Sequence, residues 1–590
     1  MKQFFKMMLA SMAGYFVLSL IMCLIFFSML VSIASFTKKT TVEIDRNSVL
    51  TLKFDQAIPD RTSNNPFADF NFSSMESKKS QGLDNILKAL KRAATDNKIK
   101  GIFLDLNDVP AGIASIEEIR NALLDFKKSG KFIISYSDDY TQKAYYLASV
   151  ADQIYLNPQG SITFKGLAAE LMFFKGTLEK LDVKAQIIRH GKFKSAIEPF
   201  ILDKMSDANR EQYQKLLDGI WKQMLDGISA MRNISNADLN LIADSLKIQT
   251  AEDALKYKLV DKLYYRDEVL AAINTKLGMG KDEDISFVSL TKFLNSKEGK
   301  TRITFGKKKI AVVYATGEIG SGKGDEKSIG SDGLSEAIRD ARGDSSVRAI
   351  VLRINSPGGS ALASEVIWRE VVLARKVKPV VVSMGDVAAS GGYYIACGAS
   401  KIYAQPNTLT GSIGVFGLIP NLGDFFKNKL GITFDMVATN KHSDYITTYR
   451  SLEPFETGVL TNQVEHTYKV FVSHVAEGRK MTAADVDSIG QGRVWSGIDA
   501  KRIGLVDDIG GLQKAIDEAA KLAGLTDYKI TDYPKFKDPF TQIIESLTGD
   551  ERSEEIKAAL GENYIYYEYL QNLKSHKGIQ ARLPFDIQVN

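Results

Sequence analysis

No charged residue lies between Lys6 and Lys38, and the apolar run that fills this gap is densest from Tyr15 to Ile33. A helix crosses a bilayer with about 20 apolar residues, whereas a cleavable export signal needs about 7–15. The run therefore predicts an uncleaved anchor, with Ser32-Ile33-Ala34 leaving processing open. Lys2 and Lys6 on one flank balance Lys38 and Lys39 on the other, so the basic residues do not orient it. Beyond the anchor, short apolar runs alternate with amphipathic ones. Ser48–Phe54 reads as a strand and the polar Asp60–Lys79 as a mobile loop. A helix over Leu83–Ala94, a strand over Ile99–Asn107, a helix over Ser115–Ser129 and a strand over Lys131–Tyr136 follow. Helix alternating with strand at these lengths predicts parallel βα units.

The second half of the chain repeats this order. Leu334–Ala341 reads as helix, Val347–Asn355 as strand, Ala363–Lys376 as helix and Pro379–Met384 as strand. Asn107 matches Asn355, Tyr145-Tyr146 matches Tyr393-Tyr394 and Pro158 matches Pro406, all at one interval of 248 residues. Glu198-Pro199-Phe200 recurs as Glu453-Pro454-Phe455, and Leu259-Val260-Asp261 as Leu505-Val506-Asp507. Such spread argues for a tandem duplication with its seam near Asn295–Lys308. The expected organisation is an anchor over 1–40, a first repeat over 41–300, a second over 301–535 and a C-terminal extension over 536–590.

Composition narrows the function. The chain's 76 basic and 71 acidic residues nearly cancel, and no basic block supports nucleic-acid binding. Cys23 and Cys397, the two cysteines, cannot build a disulfide framework or a zinc site. His190, His442, His466, His474 and His576 show no metal-binding spacing, so no cofactor is expected. Gly317–Gly324 nearly spells a phosphate-binding loop, but Gly324 stands where that loop needs a hydroxyl. It reads as a mobile flap.

The chemistry centres on Gly385-Asp386-Val387-Ala388-Ala389-Ser390-Gly391-Gly392-Tyr393-Tyr394. A small-residue turn there joins a strand to a helix and sets Ser390 at the helix start. A serine so placed attacks a carbonyl while nearby amides hold the oxyanion; a tightly packed turn would need the same small residues. The repeat is most informative where it fails. Ser390 is matched by Gln142, Ala389 by Thr141 and Gly391 by Lys143, so the first half offers no nucleophile. Conversely Lys194, beside apolar Phe193, Ala196 and Ile197, is opposed by Ser443, while Lys192 keeps its counterpart Lys441. A lysine acts as a base only when burial lowers its pKa. The reciprocal losses therefore make Lys194 the candidate general base and Ser390 the candidate nucleophile. Gly391, Gly358 and Gly359 are candidates for the oxyanion hole, the last two in Asn355-Ser356-Pro357-Gly358-Gly359-Ser360. The first half's loop, Asn107–Gly112, reads as longer by one residue. A Ser–His–Asp triad stays open, with His190 a possible wall residue.

The Ala-Ala-Ser-Gly-Gly-Tyr-Tyr stretch, the Asn-Ser-Pro-Gly-Gly loop, Leu409–Val415 and Lys194–Phe200 together resemble the bacterial signal peptide peptidase A family, in its long duplicated form. The resemblance implies tandem ClpP/crotonase-like α/β domains behind one N-terminal transmembrane helix. It implies a Ser–Lys dyad serine protease, with the nucleophile on Ser390 and the base on Lys194. It also implies an inner-membrane location with the bulk outside the cytoplasm, a homotetramer, and remnant signal peptides as substrates. The rival readings are a crotonase-type acyl-CoA enzyme, which needs neither Lys194 nor an anchor, and a non-catalytic membrane scaffold. The tyrosine-rich Tyr564–Tyr569 has no derivable role.

Overall fold

The computed structural model describes residues 2–37, 43–64, 70–71, 76–77, 80–281, 283–296, 308–536 and 580–582. Most of the expected seam and the tyrosine-rich tail lie outside these residues. One unbroken helix, Lys2–Thr37, opens the chain. Its segment Gln3–Leu24 has a mean hydropathy of 2.1 and is wholly exposed, as suits a membrane anchor or a signal sequence.

Each half builds a parallel sheet flanked by helices. In the first, the strand order is Lys262–Leu263, Gln153–Ile162, Phe132–Tyr140, Ile99–Asp105, Ser48–Leu52, Phe287–Ser289. In the second it is Val494–Ser496, Leu409–Gly411, Val380–Ala389, Val347–Ser356, Lys309–Thr316, Lys529–Tyr533, the first of these antiparallel to its neighbour. Strands buried on both faces need apolar residues at successive positions, and Val380-Val381-Val382 is such a run. Alternate side chains enter opposite cores: Ala311, Val313 and Ala315 join one cluster, Ile310, Val312 and Tyr314 the other.

The duplication recurs in the hydrogen bonds. Tyr145 Oη donates to the Leu259 carbonyl at 2.8 Å, and Tyr393 Oη to the Leu505 carbonyl at 2.8 Å. Helices Leu83–Thr95 and Ile113–Lys127 reappear as Ser331–Gly343 and Ala361–Arg375, again 248 residues on. Because the helices after both loops keep that interval, Asn107–Gly112 equals Asn355–Ser360 in length. The expected extra residue was an artefact of Pro110 and Pro357 standing one place out of step. The strand expected to end at Met384 runs on to Ala389, so the turn is confined to Ser390.

The halves are locked together by buried charge. Arg353, with no exposed surface, contacts the Asp60 and Glu118 carboxylates at 2.7 Å each. Asp60, expected in a mobile loop, is thus a buried anchor, and it also accepts from Asn355 Nδ2 at 2.8 Å. Burial works to discharge Arg353, but Asp60 and Glu118 outweigh it and hold the guanidinium above its ordinary value. Capping is exchanged across the same seam. Helix Ile113–Lys127 starts at Gly112, which has no side chain to cap it. Asp386 of the second half takes that role, accepting from Ser115 N at 2.9 Å and Ser115 Oγ at 2.6 Å. A methyl on Gly112 would lie 2.1 Å from the Asp386 carboxyl carbon, so glycine is required there. In return Glu118, on that helix, accepts from Leu512 N at 2.9 Å, at the start of helix Leu512–Leu522.

Replacing Arg353 by Met would leave two carboxylates buried and unpaired. The expected loss is about 3–5 kcal/mol, seen as an earlier thermal transition at neutral pH. Burial already pushes the Glu118 carboxyl up, and losing Arg353 would push it further above its unfolded value, so part of the loss should return as pH falls towards the ordinary carboxylate range.

Candidate active site

Ser390 adopts φ 56° and ψ −114°, a left-handed geometry costing a side-chain-bearing residue about 1–3 kcal/mol. Two backbone bonds enforce it. Ser390 N donates to the Gly411 carbonyl and the Ser390 carbonyl accepts from Tyr394 N, both at 2.8 Å. The strand Val380–Ala389 therefore ends in a sharp elbow at the head of helix Gly391–Cys397.

Lys194 arrives from the other repeat along a third sheet that joins the halves. Strand Lys184–His190 pairs antiparallel with Val415–Asn421 of the second half, from Val415 opposite His190 to Asn421 opposite Lys184. The chain then turns inward, with Phe193 N donating to the Gln491 carbonyl at 2.8 Å. Gly492, at φ 78°, packs so closely that a methyl on it would lie 2.7 Å from both the nitrogen and Cβ of Lys194. The delivered amine has no exposed surface. Lys194 Nζ lies 2.8 Å from Ser390 Oγ, and donates to the Ser412 carbonyl at 3.3 Å and Ser412 Oγ at 3.1 Å. The Phe416 ring centroid stands 6.0 Å away. Burial alone pushes this amine well below the ordinary lysine value.

Of the three glycines, two meet beside Ser390. A methyl on Gly358, at φ 99°, would fall 2.6 Å from the Gly391 amide nitrogen. Gly359 instead packs against strand Glu318–Gly320, its own methyl position 2.1 Å from the Ile319 carbonyl oxygen. The Gly317–Gly324 stretch is thus a strand and turn beside the site, and Ile319 pairs with Gly359.

In the first half the equivalent site is filled. Gln142 is buried, its Oε1 accepting from Lys165 N and Gly166 N at 3.0 and 3.1 Å. Lys143, matching Gly391, donates to the Ala111 carbonyl at 3.4 Å. Ser443 is exposed, bonded to the Asn440 carbonyl, and Lys192 is exposed. Three histidines are engaged elsewhere: His190 with Glu465, His442 with Glu456 and His474 with Glu365. His190 also stacks on Tyr468, at 3.7 Å between centroids. Among the described residues, no group of three or more His, Cys, Asp or Glu is placed to hold a metal.

Sequence reasoning missed Ser412 and Gly492. Ser412 lies inside the Leu409–Val415 motif and has φ 49°, but only proximity to Nζ marks it. Gly492 is one glycine among 45 until Lys194 is seen against it.

An α/β chain with a serine at a strained elbow, a buried amine on its hydroxyl and two glycines beside it has the site of a serine hydrolase. It belongs to peptidase family S49, a family of serine proteases, which matches residues 125–279 and 373–526. Protease 4 of Salmonella typhi is 40% identical over 80% of this chain and 77% of its own. A chloroplastic serine protease of Arabidopsis thaliana, SPPA, is 34% identical over 83% of this chain and 72% of its own. Among solved structures, a ClpP1 mutant of Listeria monocytogenes is 16% identical, with a TM-score of 0.24, covering 35% of this chain and 94% of that one.

A lysine whose folded pKa is lowered costs stability below its unfolded value near 10.4, because the unfolded chain binds the proton more tightly. Lys194→Met removes that cost. The variant should melt higher than the parent at neutral pH, with the gap narrowing as pH rises towards 10.4, measured by thermal unfolding across a pH series.

Proposed function

We propose that this chain is a membrane-anchored endopeptidase in which Lys194 of the first repeat is general base to Ser390 of the second, acting on signal peptides left in the membrane. The observation that carries the reading is the 2.8 Å separation of a fully buried lysine amine and a fully buried serine hydroxyl. Among the described residues no charged neighbour offsets the desolvation of that amine, so burial favours its neutral form.

A neutral amine has two N–H bonds and one lone pair. The Ser412 carbonyl and hydroxyl take the two N–H bonds, and the lone pair is left facing Ser390. The amine removes the hydroxyl proton as Oγ attacks the peptide carbonyl, forming a tetrahedral oxyanion. The Gly391 and Gly358 backbones flank the position where that oxyanion forms, and each donor there is worth about 3 kcal/mol. The lysine passes its proton to the leaving amine, giving an acyl-serine. A water deprotonated by the same amine then releases the carboxylate.

The substrate class follows from placement and resemblance. An N-terminal apolar helix keeps the enzyme at the bilayer, where the apolar cores of cleaved signals remain. The family likeness extends the reading to the bacterial inner membrane, with the bulk on the extracytoplasmic side and four copies assembled.

Ser390→Ala and, separately, Lys194→Met should fold and yet lose cleavage of a short apolar peptide by more than about a thousandfold. Retained cleavage in either sinks the dyad. The wild-type rate should rise with pH through an apparent pKa well below that of free lysine, since only the neutral amine is a base. Ser412→Ala should fold normally but lower kcat more than it raises KM, because the lone pair is no longer aimed.

A further inference from the structure

Lys194 stands on a turn of the second half. The Gln491 carbonyl accepts from Phe193 N at 2.8 Å, and Gly492 lies against the lysine backbone. A methyl on Gly191 would be 2.6 Å from the Gln491 carbonyl oxygen. The same turn holds Ser412, whose two oxygens accept from Lys194 Nζ. Ser412 N donates to the Arg493 carbonyl, and Gly492 N to the Ile413 carbonyl, both at 2.7 Å. The amine and the groups that orient it are thus mounted on one piece of backbone. Gln491 there has φ 53°, a left-handed geometry that a residue with a side chain keeps only when its surroundings hold it.

The holder is Tyr468. It lies within helix Pro454–Arg479, only 4% exposed, and its hydroxyl accepts from Gln491 N at 3.3 Å. Its own proton goes to Asp487 Oδ1 at 2.5 Å, and Gln491 Nε2 donates to the same oxygen at 2.6 Å. Burial, and then the bond to Asp487, push the phenol up, so the hydroxyl keeps the proton it donates. A lone pair is left for Gln491 N. The ring is used as well. His190, the last residue of the strand that leads to Lys194, stacks on it at 3.7 Å and bonds to Glu465, one helical turn before Tyr468. One side chain therefore grips the lysine loop twice, by its ring at His190 and through Gln491 at Phe193. A hydroxyl that needed only a partner would be satisfied by Asp487; the bond from Gln491 N is what ties it to the lysine.

We infer that Tyr468 is a positioning residue of this protease, fixing through Gln491 and Gly492 where Lys194 and Ser412 stand relative to Ser390. The inference rests on the dyad reading, in which the amine's lone pair has to face Ser390 Oγ. Without the hydroxyl, Gln491 relaxes from its left-handed geometry, and Gly492 and the Arg493 carbonyl move with it. The amine then loses aim and dryness together. Lost aim slows attack, since a misplacement of about 1 Å costs about a hundredfold. Lost dryness moves the pH profile, because burial is what lowers the lysine. Tyr468 is too buried to meet a peptide, so KM should hold.

Steady-state cleavage of a short apolar peptide by the full chain in detergent, across a pH series, tests this, with thermal unfolding and Lys194→Met run beside it. Tyr468→Phe keeps the ring and its stack and removes only the hydroxyl. It should fold as wild type, lower kcat about tenfold or more with KM nearly unchanged, and raise the apparent pKa of the rate by about half a unit or more. Asp487→Ala, at a half-buried position, should shift kcat and the profile the same way. Asp487→Asn, which keeps an oxygen to accept from Tyr468, should restore both. Tyr468→Phe with wild-type kcat and profile overturns the inference and leaves the dyad standing. So does a lowered kcat with the profile unmoved, the mark of a residue that only packs. If Tyr468→Phe does not fold, the Asp487 variants decide, and Asp487→Ala with a wild-type profile overturns the inference. Lys194→Met that still cleaves overturns the dyad reading, and the inference with it.

Discussion

An amine that would carry charge in water sits here without exposed surface and, among the described residues, without a carboxylate to neutralise it. Desolvation at this one atom is the constraint on which the site depends. In the proposed mechanism a salt bridge would hold the proton on Lys194 and prevent it from acting as a base, and solvent contact would do the same. Its partners among the described residues are neutral: two oxygens of Ser412, the Ser390 hydroxyl and the Phe416 ring nearby. Keeping such a side chain dry requires the two repeats to close on it without slack. Gly492, tight against the Lys194 backbone, shows how little slack there is.

That closure is maintained by charges placed away from Ser390 and Lys194. Arg353 with Asp60 and Glu118, and the exchanged caps from Asp386 and Glu118, are buried polar contacts that break if the halves separate. Burial pushes the Asp386 and Glu118 carboxyls up, so each is costly unless its partner is in place. Such groups fix one register between the repeats more than they add net stability. Asp386 lies four residues before Ser390, on the strand that leads into the elbow.

The duplication gives this arrangement a physical logic. Two equal repeats would each have offered a serine and a lysine. In this chain the first repeat has filled its elbow with Gln142 and Lys143, whose side chains satisfy nearby backbone groups. In the second, Ser443, which the count along the sequence sets against Lys194, lies exposed. Each half keeps its fold, down to the matched tyrosine bonds of Tyr145 and Tyr393, while neither holds both reacting groups.

Much of this was legible in the chain itself. Apolar runs such as Val380-Val381-Val382 encode doubly buried parallel strands, because burial on both faces demands apolar residues at every position. The fixed interval between matched residues encodes the repeat, and the reciprocal losses at Gln142 and Ser443 point to Ser390 and Lys194. These signals are local or periodic, so they survive in one dimension. What the fold alone decided was proximity between distant segments. Asp60 read as loop because its partner Arg353 lies in the other half, and Ser412 read as motif filler because its lysine is more than two hundred residues away. The strand Gln580–Arg582, which pairs with Gly358–Ser360, carried no signal at all, since three residues joined through their backbone are too few to set a pattern in sequence.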